Sequence, residues 1–124
     1  MKDLKQIPVQ VRFLNCDHSD ALQVDIEARA QKLHVYHERI TQCRVTVALP
    51  HKHHTKGALF EVGVDLVIPG TDPIIFHDPG ANPAHTDPYL AVRDAFSAVE
   101  RQLKSRTEKR RTKERQNPPE EIGL

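Results

Sequence analysis

The chain contains no tryptophan, few aromatic residues and two cysteines in 124 positions. Cys16 and Cys43 form no C-x-x-C pair, and two thiols in a chain this long make no disulfide framework. Nothing therefore calls for an oxidising compartment or a thiolate metal site. Long apolar runs are missing as well. No stretch approaches the roughly 18 uncharged apolar residues of a membrane span, and the N-terminal MKDLKQIPVQ has no apolar signal core. A cytoplasmic protein without a membrane partner is expected. Catalytic signatures are equally scarce: there is no G-x-S-x-G, no Walker-type loop, no G-x-G-x-x-G and no H-E-x-x-H. Glu61 and Asp65 share a strand face, but carboxylates so spaced are commoner as surface than as catalytic dyads. No enzymatic activity, cofactor or small-molecule substrate is expected.

What the chain does have is a separation of charge. The formal net charge is +1, yet residues 101–115 hold eight Lys/Arg against two Glu, while residues 1–100 hold ten against thirteen. A mildly acidic body carries a basic arm. Such asymmetry bears on polyanionic partners and says nothing of fold. The length suits one core, expected over residues 1–113. Residues 114–124 lack periodicity and include Pro118 and Pro119, so a disordered tail is expected there.

Hydropathy patterning orders the elements. Val9, Val11 and Phe13 alternate with Gln10, Arg12 and Leu14 as in a strand with one buried face. Ser19 or Asp17 then offers a helix cap, and Leu22, Ile26, Ala30 and Leu33 recur as an amphipathic stripe ending near His37. The period returns to two at Cys43, Val45, Val47 and Leu49, and again from Phe60 to Ile68; these two strands form a hairpin. A Pro-Gly turn leads to PIIFH, a fourth strand short enough for a sheet edge. Residues 77–88, HDPGANPAHTDP, read as an exposed irregular loop. Asp87 caps a second helix with Pro88 at its first position, and Tyr89, Val92, Phe96, Val99 and Leu103 make a narrow seam along it. The order β-α-β-β-β-α describes an α+β two-layer sandwich, a four-stranded sheet with two helices packed on one face.

Two clusters are candidates for chemistry. The HKHH run at residues 51–54 resembles a metal site at first glance, with His77 or His85 as distant partners, but no ligand spacing supports it and no metal is expected. A solvated loop that gains charge on protonation is the better reading. The basic end of the second helix is different. Beyond Leu103 the apolar seam stops, and Arg101, Lys104, Arg106, Lys109, Arg110 and Arg111 crowd about three turns. Arg93 lies earlier on this helix, and Arg29 and Lys32 near the end of the first helix extend the same surface. One reading is a solvated helix end; the other is a strip that meets phosphates. Arg12, Arg44, Glu61 and Asp65 mark the opposite sheet face, which has no aromatic pair to stack bases, so backbone and shape recognition of folded RNA is expected over sequence readout.

Residues 19–33, SDALQVDIEARAQKL, and residues 87–104, DPYLAVRDAFSAVERQLK, are similar to the two helix signatures of the ribosome hibernation-promoting factors, also called ribosome-associated inhibitors, of the sigma-factor modulation or S30EA-like type. The likeness spans residues 9–113 in the right element order. It implies a fold like that of double-stranded-RNA-binding domains and a small-subunit ribosomal RNA partner in the channel used by mRNA and tRNA. Translation would be silenced there under stress. It further implies that Lys32, Arg101, Lys104 and the basic residues after them face that RNA. The chain resembles the short form, without the domain by which long forms pair ribosomes. It differs in lacking the usual glycine between the first strand and helix, and in having Val35 where an Arg is common. A diverged regulatory protein-interaction module that keeps the fold without the ribosome is the alternative.

Overall fold

A computed structural model describes residues 6–50, 59–78 and 80–116, the stretch 107–116 as backbone alone. The elements are β1 (Val9–Leu14), α1 (Asp20–Lys32), β2 (Gln42–Ala48), β3 (Glu61–Val67), β4 (Ile74–His77) and α2 (Pro88–Gln116), with 3₁₀ turns at Leu33–Val35 and Pro83–Thr86. The element order is the expected one. Residues 51–58, which include the HKHH run, and the tail from 117 onward lie outside the described residues.

The sheet runs β1-β2-β3-β4. β1 pairs parallel to β2, with Val9 opposite Cys43, and the other two pairings are antiparallel. A parallel pair needs a crossover, which α1 supplies. The alternation read from sequence becomes the two faces: Cys43, Val45, Val47, Val62, Val64 and Leu66 are buried, while Arg44, Thr46, Gly63 and Asp65 point away from the core.

Both helices cover the apolar face. On α1 the stripe Leu22, Ile26, Ala30 and Leu33 is buried throughout, and Ser19 caps the helix by accepting from the Leu22 N–H at 3.2 Å. Gln31 ties α1 to the lead-in of β1, donating to the Ile7 carbonyl at 2.7 Å and accepting from the Ile7 N–H at 2.8 Å. Between β1 and α1 the chain takes a left-handed turn at Asn15, φ 59°. Asparagine is among the few non-glycine residues that visit this region readily, and its Nδ2 donates to the Leu49 carbonyl at 2.7 Å. A side-chain anchor thus holds the turn between the first strand and the first helix.

At the start of α2, Asp87 Oδ1 accepts from the Tyr89 N–H at 2.9 Å. The seam Val92, Phe96, Val99 and Leu103 is fully buried, but Tyr89 is 41% exposed. The seam is also wider than the large side chains indicated, because Ala91, Ala95 and Ala98 are buried too. Their small side chains let the helix lie close to β3 and β4.

Segment 77–88 is exposed at most of its described positions, as the sequence reading had it, but it is not irregular throughout. Pro83–Thr86 is a 3₁₀ turn capped by Asn82, whose Oδ1 accepts from the Ala84 N–H at 2.9 Å. Asp78 and His85 within the segment are buried, at 5% and 4% exposure. The reason is mutual: the imidazole of His85 lies between two carboxylates, Nδ1 at 2.8 Å from Asp78 and Nε2 at 2.7 Å from Asp94. Buried polar groups are tolerated when paired.

Candidate nucleic-acid interface

Leu103, 0% exposed, is the last buried side chain among those described on α2, and the helix continues to Gln116. The flanking cations Arg101 and Lys104 are exposed. No carboxylate pairs with either among the described residues. Lys104 is held instead by an aromatic face, its Nζ 5.9 Å from the centroid of the Tyr36 ring. Tyr36 follows the 3₁₀ turn that ends α1, so this contact joins the end of the first helix to the basic part of the second.

The other expected residues divide by what they touch. Lys32, at the end of α1, is exposed and has no ion-pair partner among the described residues. Arg29 pairs with Asp25 across one helical turn at 2.9 Å, and Arg93 pairs with Asp94, Nη2 to Oδ1 at 3.0 Å. The charge of each is partly compensated before any ligand arrives. Arg106 reaches toward the sheet and donates to the Asp72 carbonyl just before β4. That bond engages the guanidinium without neutralising it. Lys109, Arg110 and Arg111 belong to the backbone-only stretch of α2.

The arrangement splays cations over two flanks of one helix: Lys104 toward the end of α1, Arg106 toward β4. It is broader than a single stripe. The opposite sheet face is mixed in sign, with Arg44 paired in register with Asp65. Among its described outward positions the imidazole of His77 is the one aromatic ring, so no pair of rings stands there to stack bases.

Sequence reasoning missed Tyr36 and the Asp78–His85–Asp94 bridge. The first carries no motif, and the second joins residues seven and nine positions apart across a turn whose path spacing does not give. Asp94 is held below the usual carboxylate range by the hydrogen bond from His85, with Arg93 adding to the effect against a desolvation that opposes it. Burial, with help from the Asp65 charge, pushes the Cys43 thiol up to about 12. Among the described residues no group of three or more His, Cys, Asp or Glu is placed to hold a metal ion, and no helix is long and apolar enough to cross a membrane.

Comparison with known proteins agrees with this architecture. The N-terminal domain of Thermus thermophilus Protein Y superposes with a TM-score of 0.57 at 19% identity, covering 82% of this chain and 98% of that one. A ribosomal subunit interface protein from Coxiella burnetii gives a TM-score of 0.58 at 18% identity, covering 82% and 99%. At such identities the likeness establishes the fold. No curated protein matches the chain. Residues 9–111, from the first residue of β1 into the basic part of α2, match the family model described as Sigma 54 modulation protein / S30EA ribosomal protein, and the chain belongs to that family.

Proposed function

We propose that this protein binds small-subunit ribosomal RNA in the channel used by mRNA and tRNA and holds translation silent under stress, as a non-enzymatic cytoplasmic factor. The observation that carries the reading is local. Beside Leu103, the last buried side chain described on α2, Arg101 and Lys104 stand exposed with no ion pair among the described residues, and Lys32 lies exposed at the end of α1. Cations without an intramolecular carboxylate lose little when they exchange solvent for phosphate, and the released counterions favour the complex. Membership of a ribosome-associated family supports the same partner. The domain that does this extends from residue 1 to about residue 113, where the basic stretch of α2 gives way to a segment that includes Pro118 and Pro119.

Cosedimentation of the purified chain with ribosomes through sucrose gradients tests it. At low salt the protein travels with the small subunit and with whole ribosomes, and the Arg101→Glu, Lys104→Glu double variant stays at the top while keeping its melting temperature. If the folded wild-type chain never leaves the top fractions at low salt, the ribosomal reading is wrong and the protein-interaction module takes its place.

A further inference from the structure

One feature of the fold is not used by an RNA-binding helix. Among the described residues β4 is an edge strand, paired with β3 alone. The Asp78 N–H donates to the Val62 carbonyl, so by the alternation of an antiparallel ladder the N–H groups of Ile74 and Phe76 point to β3 and those of Ile75 and His77 point outward. Natural edges are usually blunted by charge, proline or a bulge. Here the strand reads Ile-Ile-Phe-His, Ile75 is 60% exposed, and the nearest proline is Pro73, just outside the strand.

Beside this edge runs a groove. Phe76 forms its half-buried floor and α2 its wall, with Ala98, Arg101, Ser105 and Arg106 at one end; toward the buried histidine it also takes in Asp78 and Asp94, whose carboxylates are already bonded to His85. Phe76, Ala98 and Arg101 belong to both parts, so the groove is continuous. A strand added to β4 places alternate side chains over this same face, next to Phe76 and Arg101.

We propose that the free edge of β4 and the groove beneath α2 accept an extended acidic peptide segment of a protein partner by strand addition. Main-chain hydrogen bonds to Ile75 and His77 supply the docking, Phe76 receives an apolar side chain, and Arg101 receives a carboxylate. Charge selects this occupant over a second copy of the chain. A two-fold pairing of β4 with β4 sets both copies' Arg101 on one face of the joined sheet, where like charges repel. At the opposite edge of the sheet the described residues lining the groove beside β1 include Glu27 and Gln31 and no cation.

The probe is an end-capped nonapeptide of alternating valine and glutamate, titrated into the isotopically labelled full chain and followed by NMR. Saturable shifts and slowed exchange at the Ile75 and His77 amides, with the β1 edge unaffected, are expected. The valine–lysine counterpart binds at least about tenfold more weakly. Ile75→Pro removes an outward donor without touching the ladder and abolishes binding, while ribosome cosedimentation is unchanged. Should that variant unfold, Arg101→Gln, at an exposed position, still weakens the peptide about fivefold or more. The proposal is overturned by silence of both amides at about 1 mM peptide, by equal binding of the lysine peptide, by peptide-independent dimerisation through β4, or by an RNA duplex protecting the same two amides.

Discussion

The Nε2 of His85 lies 2.7 Å from Oδ2 of Asp94, and the other nitrogen of the same ring lies 2.8 Å from Asp78. With both nitrogens facing carboxylates, the ring has no free lone pair to offer a substrate, and its role is to pin the segment after β4 onto α2. His85→Ala leaves Asp78, 5% exposed, as a buried carboxylate whose remaining hydrogen bond among the described residues is from the Gly80 N–H. A loss of about 3 kcal/mol is expected, read in urea as a lower midpoint at unchanged slope.

Asp94 makes the same bridge pH-dependent from the acid side. Its folded pKa lies below the ordinary value of 3.8, so its contribution is fully present above that value and is lost as pH falls through the lower, folded one. Asp94→Asn therefore costs stability at neutral pH. The gap between the two proteins closes as acid protonates the wild-type carboxylate. Thermal melts from pH 7 down to strong acid check this; a gap that stays constant contradicts it.

Gly80 adopts φ +77°, and a Cβ there meets the carboxylate of Glu61. Gly80→Ala is expected to cost about 1–2 kcal/mol through the left-handed backbone, while the Glu61 carboxylate, the far end of a flexible side chain, moves aside at little cost. The second change Glu61→Ala therefore recovers little, a near-zero coupling that a double-mutant cycle in urea checks.

The two cysteines differ in reactivity for a physical reason. Cys43 sits in β2 at 0% exposure with its thiol pushed up to about 12, whereas Cys16 is half-buried. Since the thiolate is the nucleophile, a disulfide reagent at pH 8 modifies Cys16 first. Cys43 follows only on unfolding, and mass spectrometry of the labelled peptides distinguishes them.

Salt tests the basic helix quantitatively. If about five cations neutralise phosphates, the log–log slope of RNA affinity against salt is roughly −3.5 to −4.5. Lys104→Gln lowers the steepness by about 0.7–0.9. Tyr36→Leu, which removes the ring beneath Lys104 but no charge, weakens binding while leaving the slope in place.

Much of this molecule was legible in the sequence because local rules suffice for it. The alternation in β2 and β3 named the buried face residue by residue, Ser19 and Asp87 announced both helix starts, and the stripe of α1 was buried as spaced. The end of the core at Leu103 was visible too, since an apolar seam that gives way to arginine and lysine has nothing left to bury. The partnerships of the cations were not visible. Arg29 with Asp25 follows helical spacing, but Arg106 with the Asp72 carbonyl and Lys104 with Tyr36 join residues far apart in the chain.

The sequence by itself determined the element order, the inward face of each strand and the place where hydrophobic packing stops, for these follow from the periods of helix and strand. Only the tertiary structure decided that His85 is buried between two aspartates, that Tyr36 lies under Lys104, and that the β4 edge lies open beside Arg101. Each of those depends on where separate elements meet, and the energies that bring them together are summed over the whole core, beyond the reach of any local pattern.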